Sequence, residues 1–329
     1  MLCFLRESEE KMNEKYFILR DGRKIPVIGV GTGLIKHRAK NKFQYLKIWT
    51  KEQIKNILFK DFKKNNRYPI SKDTKKDKMV PLVLDYYLKY YDFCLIDTAR
   101  AYVYSESELG NVLRNNTSCS NTFIMSKVTN THQRNKECQQ CIDESLKQVG
   151  VECFDLYLLH WPQTDTYIDS YKELIKARDT GKIKGIGVAN FNIDHLETLR
   201  DIGLELPLVN EFECHPFLQQ KQLVKYCQEN GIQVIAYAPT GHKLKAFSNL
   251  DQIQKMCTKY NVESSQIIMR WHYQNGIIPI FNTTSIEHLK QNLDIFGFEL
   301  TQEEMKYINS LDSNERYWPD PANCDFSKL

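Results

Sequence analysis

The sequence predicts a single (β/α)8 TIM barrel, and three observations carry that reading. Eight short apolar runs end, in order, at Val30, Ile96, Ser126, Leu159, Val188, Glu213, Tyr237 and Phe281. Stretches of helical period lie between most of them, among them 138–149, 166–180, 195–201, 220–229 and 250–260. Chemically capable residues stand directly at the ends of three runs: Asp97 after 93–96, Lys127 after 122–126 and His160 after 156–159. An apolar run bounded by turn signals reads as a strand covered on both faces. Strands alternating with helices read as a parallel sheet. Functional groups at the carboxyl ends of successive strands are what the catalytic face of a barrel requires. A doubly wound open sheet is the competitor, but it wants a glycine-rich phosphate loop opening into a helix. Gly29-Val30-Gly31-Thr32-Gly33 has neither that spacing nor a helix directly after it.

Taken in order, residues 16–25 read as a hairpin that would plug the bottom of the barrel, with Asp21-Gly22 as a type I′ turn. The first barrel strand follows. Residues 35–79 then interrupt the repeat with 15 Lys/Arg against 4 Asp/Glu. Inside this insertion, Thr50-Lys51-Glu52-Gln53 has capping-box form and Ile54, Ile57, Leu58 and Phe62 follow at helical spacing. That predicts an extra amphipathic helix, then a mobile lysine-rich stretch over about 63–78. Loops after barrel strands emerge on the catalytic face, so the insertion is expected near the mouth of the site; one hypothesis makes it a lid that sets substrate access. The helix of the first repeat resumes at about 81–91. One domain is expected over residues 1–329.

The formal net charge of +4 hides the insertion's excess, since the remaining residues carry 30 Lys/Arg against 37 Asp/Glu. A basic run of this kind reads as a solvated surface before it reads as a nucleic-acid or acidic-partner site. With 42% hydrophobic and 26% charged residues, the composition is globular. No run of about 18 apolar residues suggests a membrane span. Ten cysteines without a framework pattern favour reduced thiols and a cytoplasmic setting. Cys138 and Cys141 form a Cys-x-x-Cys without a second pair at zinc spacing, so no metal is expected. The partner expected is a small molecule, with no nucleic acid, no membrane and a monomeric state.

Asp97, Tyr102, Lys127 and His160 together suit one task, moving a proton to or from a carbonyl oxygen. A phenol ordinarily titrates near 10, and a nearby ammonium is expected to lower that value. Asp97 would hold Lys127 charged, and His160 would orient the carbonyl. General acid catalysis contributes roughly 10²–10⁴-fold. The rest of a reduction needs a hydride donor, which no side chain is, so a nicotinamide cofactor is inferred.

Seven blocks in order resemble the aldo-keto reductase family across about residues 16–34 and 80–320. They are Gly29-Val30-Gly31-Thr32; Asp97-Thr98-Ala99 with Tyr102; 124–128 around Lys127; 155–162 around His160; 186–191 ending Ala189-Asn190-Phe191; Glu213-Cys214-His215-Pro216; and Ala236-Tyr237-Ala238-Pro239. The resemblance implies Tyr102 as proton donor, Lys127 and Asp97 as its tuners and His160 as the group that orients the carbonyl. It implies Thr32, Ala189, Asn190, Glu211 and Tyr237 at the cofactor and Trp161 in the substrate pocket.

Several positions depart from the family's pattern. One extra residue follows Tyr102, making Tyr104 a rival donor. Glu211 replaces a glutamine, Ala189 a serine and Gly33 a tryptophan. In the last loop, Asn282, Thr283 and His288 stand where the family grips a 2′-phosphate with lysine, serine and arginine, while Asn292 is kept. NADP is the cofactor expected, with NAD possible because that grip is altered. The function expected is reduction of aldehydes or ketones to alcohols. The alternative is a cofactor-binding regulatory or scaffold barrel with little turnover.

Overall fold

The computed structural model describes residues 15–33, 79–92, 94–102, 104–116 and 122–323. Eight parallel strands close into a barrel: β3 (Gly29–Gly31), β4 (Cys94–Asp97), β5 (Thr122–Val128), β6 (Leu156–Leu159), β7 (Ile186–Ala189), β8 (Val209–Glu213), β9 (Gln233–Tyr237) and β10 (Ile277–Phe281). They follow sequence order, and β10 pairs with β3 to complete the ring. Each of the eight lies where an apolar run predicts it. Helices cover the outside, including α1 (Met79–Tyr90), α2 (Ser105–Asn115), α3 (Asn130–Arg134), α4 (Cys138–Val149), α5 (Tyr167–Asp179), α6 (Ile193–Asp201) and α7 (Lys221–Glu229). After β9 come α8 (Leu244–Ser248), α9 (Asp251–Tyr260) and α10 (Ser264–Gln274), and after β10 come α11 (Ile286–Leu293) and α12 (Gln302–Asn309). Among the described residues no helix is long and apolar enough to cross a membrane. The expected insertion helix and lysine-rich stretch lie outside the described residues.

Side chains alternate across each strand, and the alternation divides the core in two. One parity points inward, where Leu95, Phe123, Met125, Leu156, Leu158, Ala189, Val209, Ile235, Ile278 and Ile280 form one buried cluster. The other parity, including Ile96, Ile124, Tyr157, Val188, Phe212, Val234 and Phe281, packs outward against the helices. A closed parallel barrel hides both faces of every strand, so the strands read as continuous apolar runs.

The hairpin of β1 (Tyr16–Ile18) and β2 (Lys24–Pro26) lies at the amino ends of the barrel strands. Its Leu19 and Ile25 join the inner cluster and close that end. Arg23 Nη1 donates to Asp155 O at 2.8 Å, and Arg20 Nη1 to Asn230 O at 3.1 Å, tying the plug to loops that enter the barrel. The turn is not type I′, which needs positive φ at both central residues. Here Gly22 is at φ +85° while Asp21 is not at positive φ, and the Gly22 N–H donates to Leu19 O. That is a type I turn closed by a left-handed glycine, the usual solution for a longer hairpin loop.

Candidate active site

The inward parity that fills the barrel with apolar side chains continues, two residues on, into the polar groups of the mouth. Leu95 leads to Asp97, Met125 to Lys127, Leu158 to His160, Val209 to Glu211 and Ile235 to Tyr237. Parallel register places them side by side, with Asp97 beside Met125, Lys127 beside Leu158, and Ala189 beside Glu211. Residues far apart in sequence thereby share one end of the barrel.

Lys127 is the centre of this cluster and is almost fully buried. Its Nζ donates to Asp97 Oδ1, with which it is ion-paired, and to Thr98 O at 3.2 Å. It also lies 3.0 Å from Glu211 Oε2. Among the described residues that oxygen has no other polar partner, so Lys127 alone opposes its charge. An isolated buried ammonium would be costly. Here burial lowers its proton affinity, but Asp97 and Glu211 outweigh burial and hold Lys127 protonated above its ordinary value. Glu211 carries the strain of the arrangement. Burial and the Asp97 carboxylate push it up to about 7 against the pull of Lys127. Asp97 is also raised by burial, with Lys127 opposing.

Tyr102 and His160 complete the mouth, their rings 5.9 Å apart and nearly perpendicular. Lys127 Nζ lies 5.7 Å from the centre of the Tyr102 ring. The expectation that Lys127 makes this phenol more acidic is corrected. Burial raises its pKa, Lys127 lowers it, and Asp97 and Glu211 raise it again, leaving the phenol above its ordinary value. Two carboxylates offset the one ammonium. His160 is pushed down to about 3 by burial and by Lys127, so its ring is neutral near pH 7. The rival Tyr104 occupies the N-cap position of α2.

The next three strand ends form a hydrogen-bonded chain. Asn190, at φ +63°, turns the backbone out of β7, a conformation that asparagine tolerates better than most residues. Its Nδ2 donates to His160 O at 3.0 Å, and its Oδ1 accepts from Tyr237 Oη at 2.7 Å. Asn190 is thus pinned with one N–H and one lone pair to spare. Ala189 is buried beneath it, and Trp161 is buried beside His160. Thr32 is buried too, its N–H and Oγ1 both donating to Asp97 O, at 2.9 and 3.1 Å. A Cβ on Gly33 would stand 3.5 Å from the Tyr102 ring and 3.8 Å from Asn282 Nδ2, so a larger side chain here would lie against both.

The last loop is differently built. Asn282 is exposed at the end of β10. Thr283 Oγ1 accepts from Ser285 N at 3.1 Å, and Ser285 Oγ caps α11 by accepting from His288 N at 3.3 Å. His288 is exposed and Asn292 half-buried. None of these four carries a permanent positive charge.

Sequence reasoning quoted Glu213 in a motif but gave it no role, and it passed over Trp318. Glu213 is fully buried, its Oε1 accepting from Tyr317 N at 2.8 Å and its Oε2 from Trp318 N at 2.9 Å. His215 Nε2 lies 3.2 Å from the same Oε1. The Trp318 ring meets Tyr237 edge-on at 6.5 Å. A glutamate on the inward parity, two positions past Glu211, was the available signal. Nothing local marked its partners 104 and 105 residues away. His272, with Nε2 3.3 Å from Pro239 O, belongs to the packing around this region.

Comparison with known proteins agrees with this fold. The model of the aldo/keto reductase family matches residues 64–313. Glyoxal reductase of Bacillus subtilis is 37% identical over 233 residues, covering 70% of this chain and 83% of that protein. Methylglyoxal reductase DkgA of Escherichia coli is 34% identical over 230 residues, covering 69% and 82%. Among solved structures, an aldo-keto reductase of Bombyx mori in complex with NADP superposes with a TM-score of 0.73 at 26% identity, covering 92% of this chain and 94% of that one. This chain belongs to the aldo/keto reductase family.

Proposed function

We propose that the protein is an NADP(H)-dependent reductase of aldehydes and ketones whose substrates are small, uncharged carbonyl compounds. The observation that carries this reading is the gathering of Tyr102, Lys127, Asp97 and His160 at one barrel mouth, from four stretches of sequence. The relatives that reduce glyoxal and methylglyoxal support short dicarbonyls as the substrate class. A cluster with two carboxylates to one ammonium disfavours an anionic substrate.

The residues present fit a nicotinamide. Glu211 Oε2 is buried, short of hydrogen bonds and able to accept an amide N–H. Asn190 keeps a donor and an acceptor, and Tyr237 offers a half-buried ring beside it. Bound there, the reduced cofactor supplies the hydride. Tyr102 stays protonated until negative charge develops on the carbonyl oxygen, then donates its proton to it. Neutral His160 donates a hydrogen bond that orients that oxygen. Lys127 stabilises the resulting phenolate, and Asp97 keeps Lys127 in place. Asn282, Thr283, His288 and Asn292 would meet the adenosine end by hydrogen bonds in place of the usual cations. The setting that fits this chemistry is cytoplasmic.

Replacing Tyr102 with Phe tests the reading. Turnover of methylglyoxal should fall by roughly 10²–10⁴-fold while NADPH binding, followed by tryptophan fluorescence, is retained. Turnover at the parental rate would refute the assignment.

A further inference from the structure

The mouth holds two carboxylates on one ammonium, with Asp97 on one side of Lys127 and Glu211 3.0 Å away on the other. A glutamine at position 211 would leave a neutral pair, whereas an ionised glutamate leaves the cluster with an unbalanced negative charge. We propose that Glu211 biases the site toward the oxidised, cationic cofactor over the reduced, neutral one, linking the cofactor's charge to the proton on Glu211. This rests on the function proposed above.

The reasoning is one of distance. Hydride transfer requires reacting carbons about 3–3.5 Å apart, and the carbonyl is held by Tyr102, whose ring lies 5.7 Å from Lys127 Nζ. With the Glu211 carboxylate accepting the carboxamide N–H as proposed above, the nicotinamide charge appears within about 10 Å of Glu211. At an effective dielectric constant of about 20, a unit charge at that range changes relative affinity by about tenfold or more. The titratable groups around Glu211 are Asp97 on β4, Tyr102 on the loop after it, Lys127 on β5, His160 after β6, Tyr237 on β9 and Glu213 further along β8. His160 is neutral down to about pH 3, and Lys127, Tyr102 and Tyr237 are all raised above their ordinary values. Glu211, pushed up to about 7, is placed to change charge between pH 6 and pH 9. By linkage, binding of the cation should expel its proton.

Dissociation constants for NADP+ and NADPH are to be measured on the full chain by tryptophan fluorescence from pH 6 to pH 9. Proton release on binding is followed with an indicator dye. The 2′-phosphate titrates in both nucleotides and cancels in the ratio. For the wild type, the preference for NADP+ over NADPH should grow about tenfold across this range, with proton release on NADP+ binding near pH 7. In Glu211→Gln the slope should vanish, and with it the excess of proton release on NADP+ binding over that on NADPH binding, which separates Glu211 from Asp97. A pH-independent ratio in the wild type, or a slope retained in Glu211→Gln, would overturn the inference while leaving the reductase reading intact. Failure of both nucleotides to bind would overturn the reading itself and the inference with it.

Discussion

Glu211 and Glu213 lie two residues apart on the same strand, share its inward parity and are both buried, yet their surroundings make them different groups. Glu213 has a backbone N–H on each oxygen and an imidazole beside one of them. Its hydrogen-bonding capacity is well used, and it ties the segment around 317–318 to the barrel. Glu211 has one ammonium, which it shares with another carboxylate. The lesson is that burial alone does not decide what a carboxylate does. A buried carboxylate met by backbone donors acts as a fastener, and one that shares a single cation becomes a proton-holding group.

The sharpest way to break this contrast is to remove the shared cation. Lys127→Met leaves Asp97 and Glu211 buried without it and should cost about 3–5 kcal/mol, read by urea unfolding at pH 8. At pH 5 the loss should be smaller, because both carboxylates can take up protons. An equal loss at the two pH values would show that the cluster is not electrostatically stressed.

Glu213→Ala strips partners from the part-buried backbone N–H groups of Tyr317 and Trp318 and should cost about 1–3 kcal/mol. Trp318, already half exposed, should lose its edge contact with Tyr237, and its fluorescence should shift further to the red. An unshifted spectrum with unchanged stability would mean that the segment is held by other contacts.

Glu211→Gln should show the opposite sign at alkaline pH. The folded-state pKa of Glu211 lies above its ordinary value of 4.5. Its contribution to stability is therefore complete below about pH 4.5 and is lost as pH rises through about 7. The variant lacks that loss, so relative to its own stability at pH 5 it should gain about 1–3 kcal/mol over the wild type at pH 8. Parallel curves for the two proteins would contradict the assigned shift.

Smallest is Tyr237→Phe, which removes the hydroxyl bonded to Asn190 and should cost about 1 kcal/mol together with a few-fold loss of cofactor affinity. Full cofactor affinity would show that Asn190 is held without it.

Much of this was legible in the amino-acid chain. Strands β4, β5 and β6 announce themselves because a closed parallel barrel leaves neither strand face wet, so Asp97, Lys127 and His160 stand out where the apolar runs stop. The hairpin was legible from Asp21-Gly22, but its turn type was not. Asp21 reaches its place with ordinary negative φ once a longer loop puts only Gly22 in the left-handed region. The acidity of Tyr102 is not legible in the motif, which shows Lys127 but neither the burial of the phenol nor the carboxylates that oppose the ammonium.

What the sequence by itself determined is the repeating order of strands and helices and which residues stand at strand ends, since both follow from local alternation and turn chemistry. Only the tertiary structure decided which charges meet. Asp97, Lys127 and Glu211 come from three strands, and the proton each holds depends on distances of a few ångströms set by barrel closure and register. Electrostatic free energy in a buried site varies with those separations and with the loss of water, and neither quantity is written in any one segment of the chain.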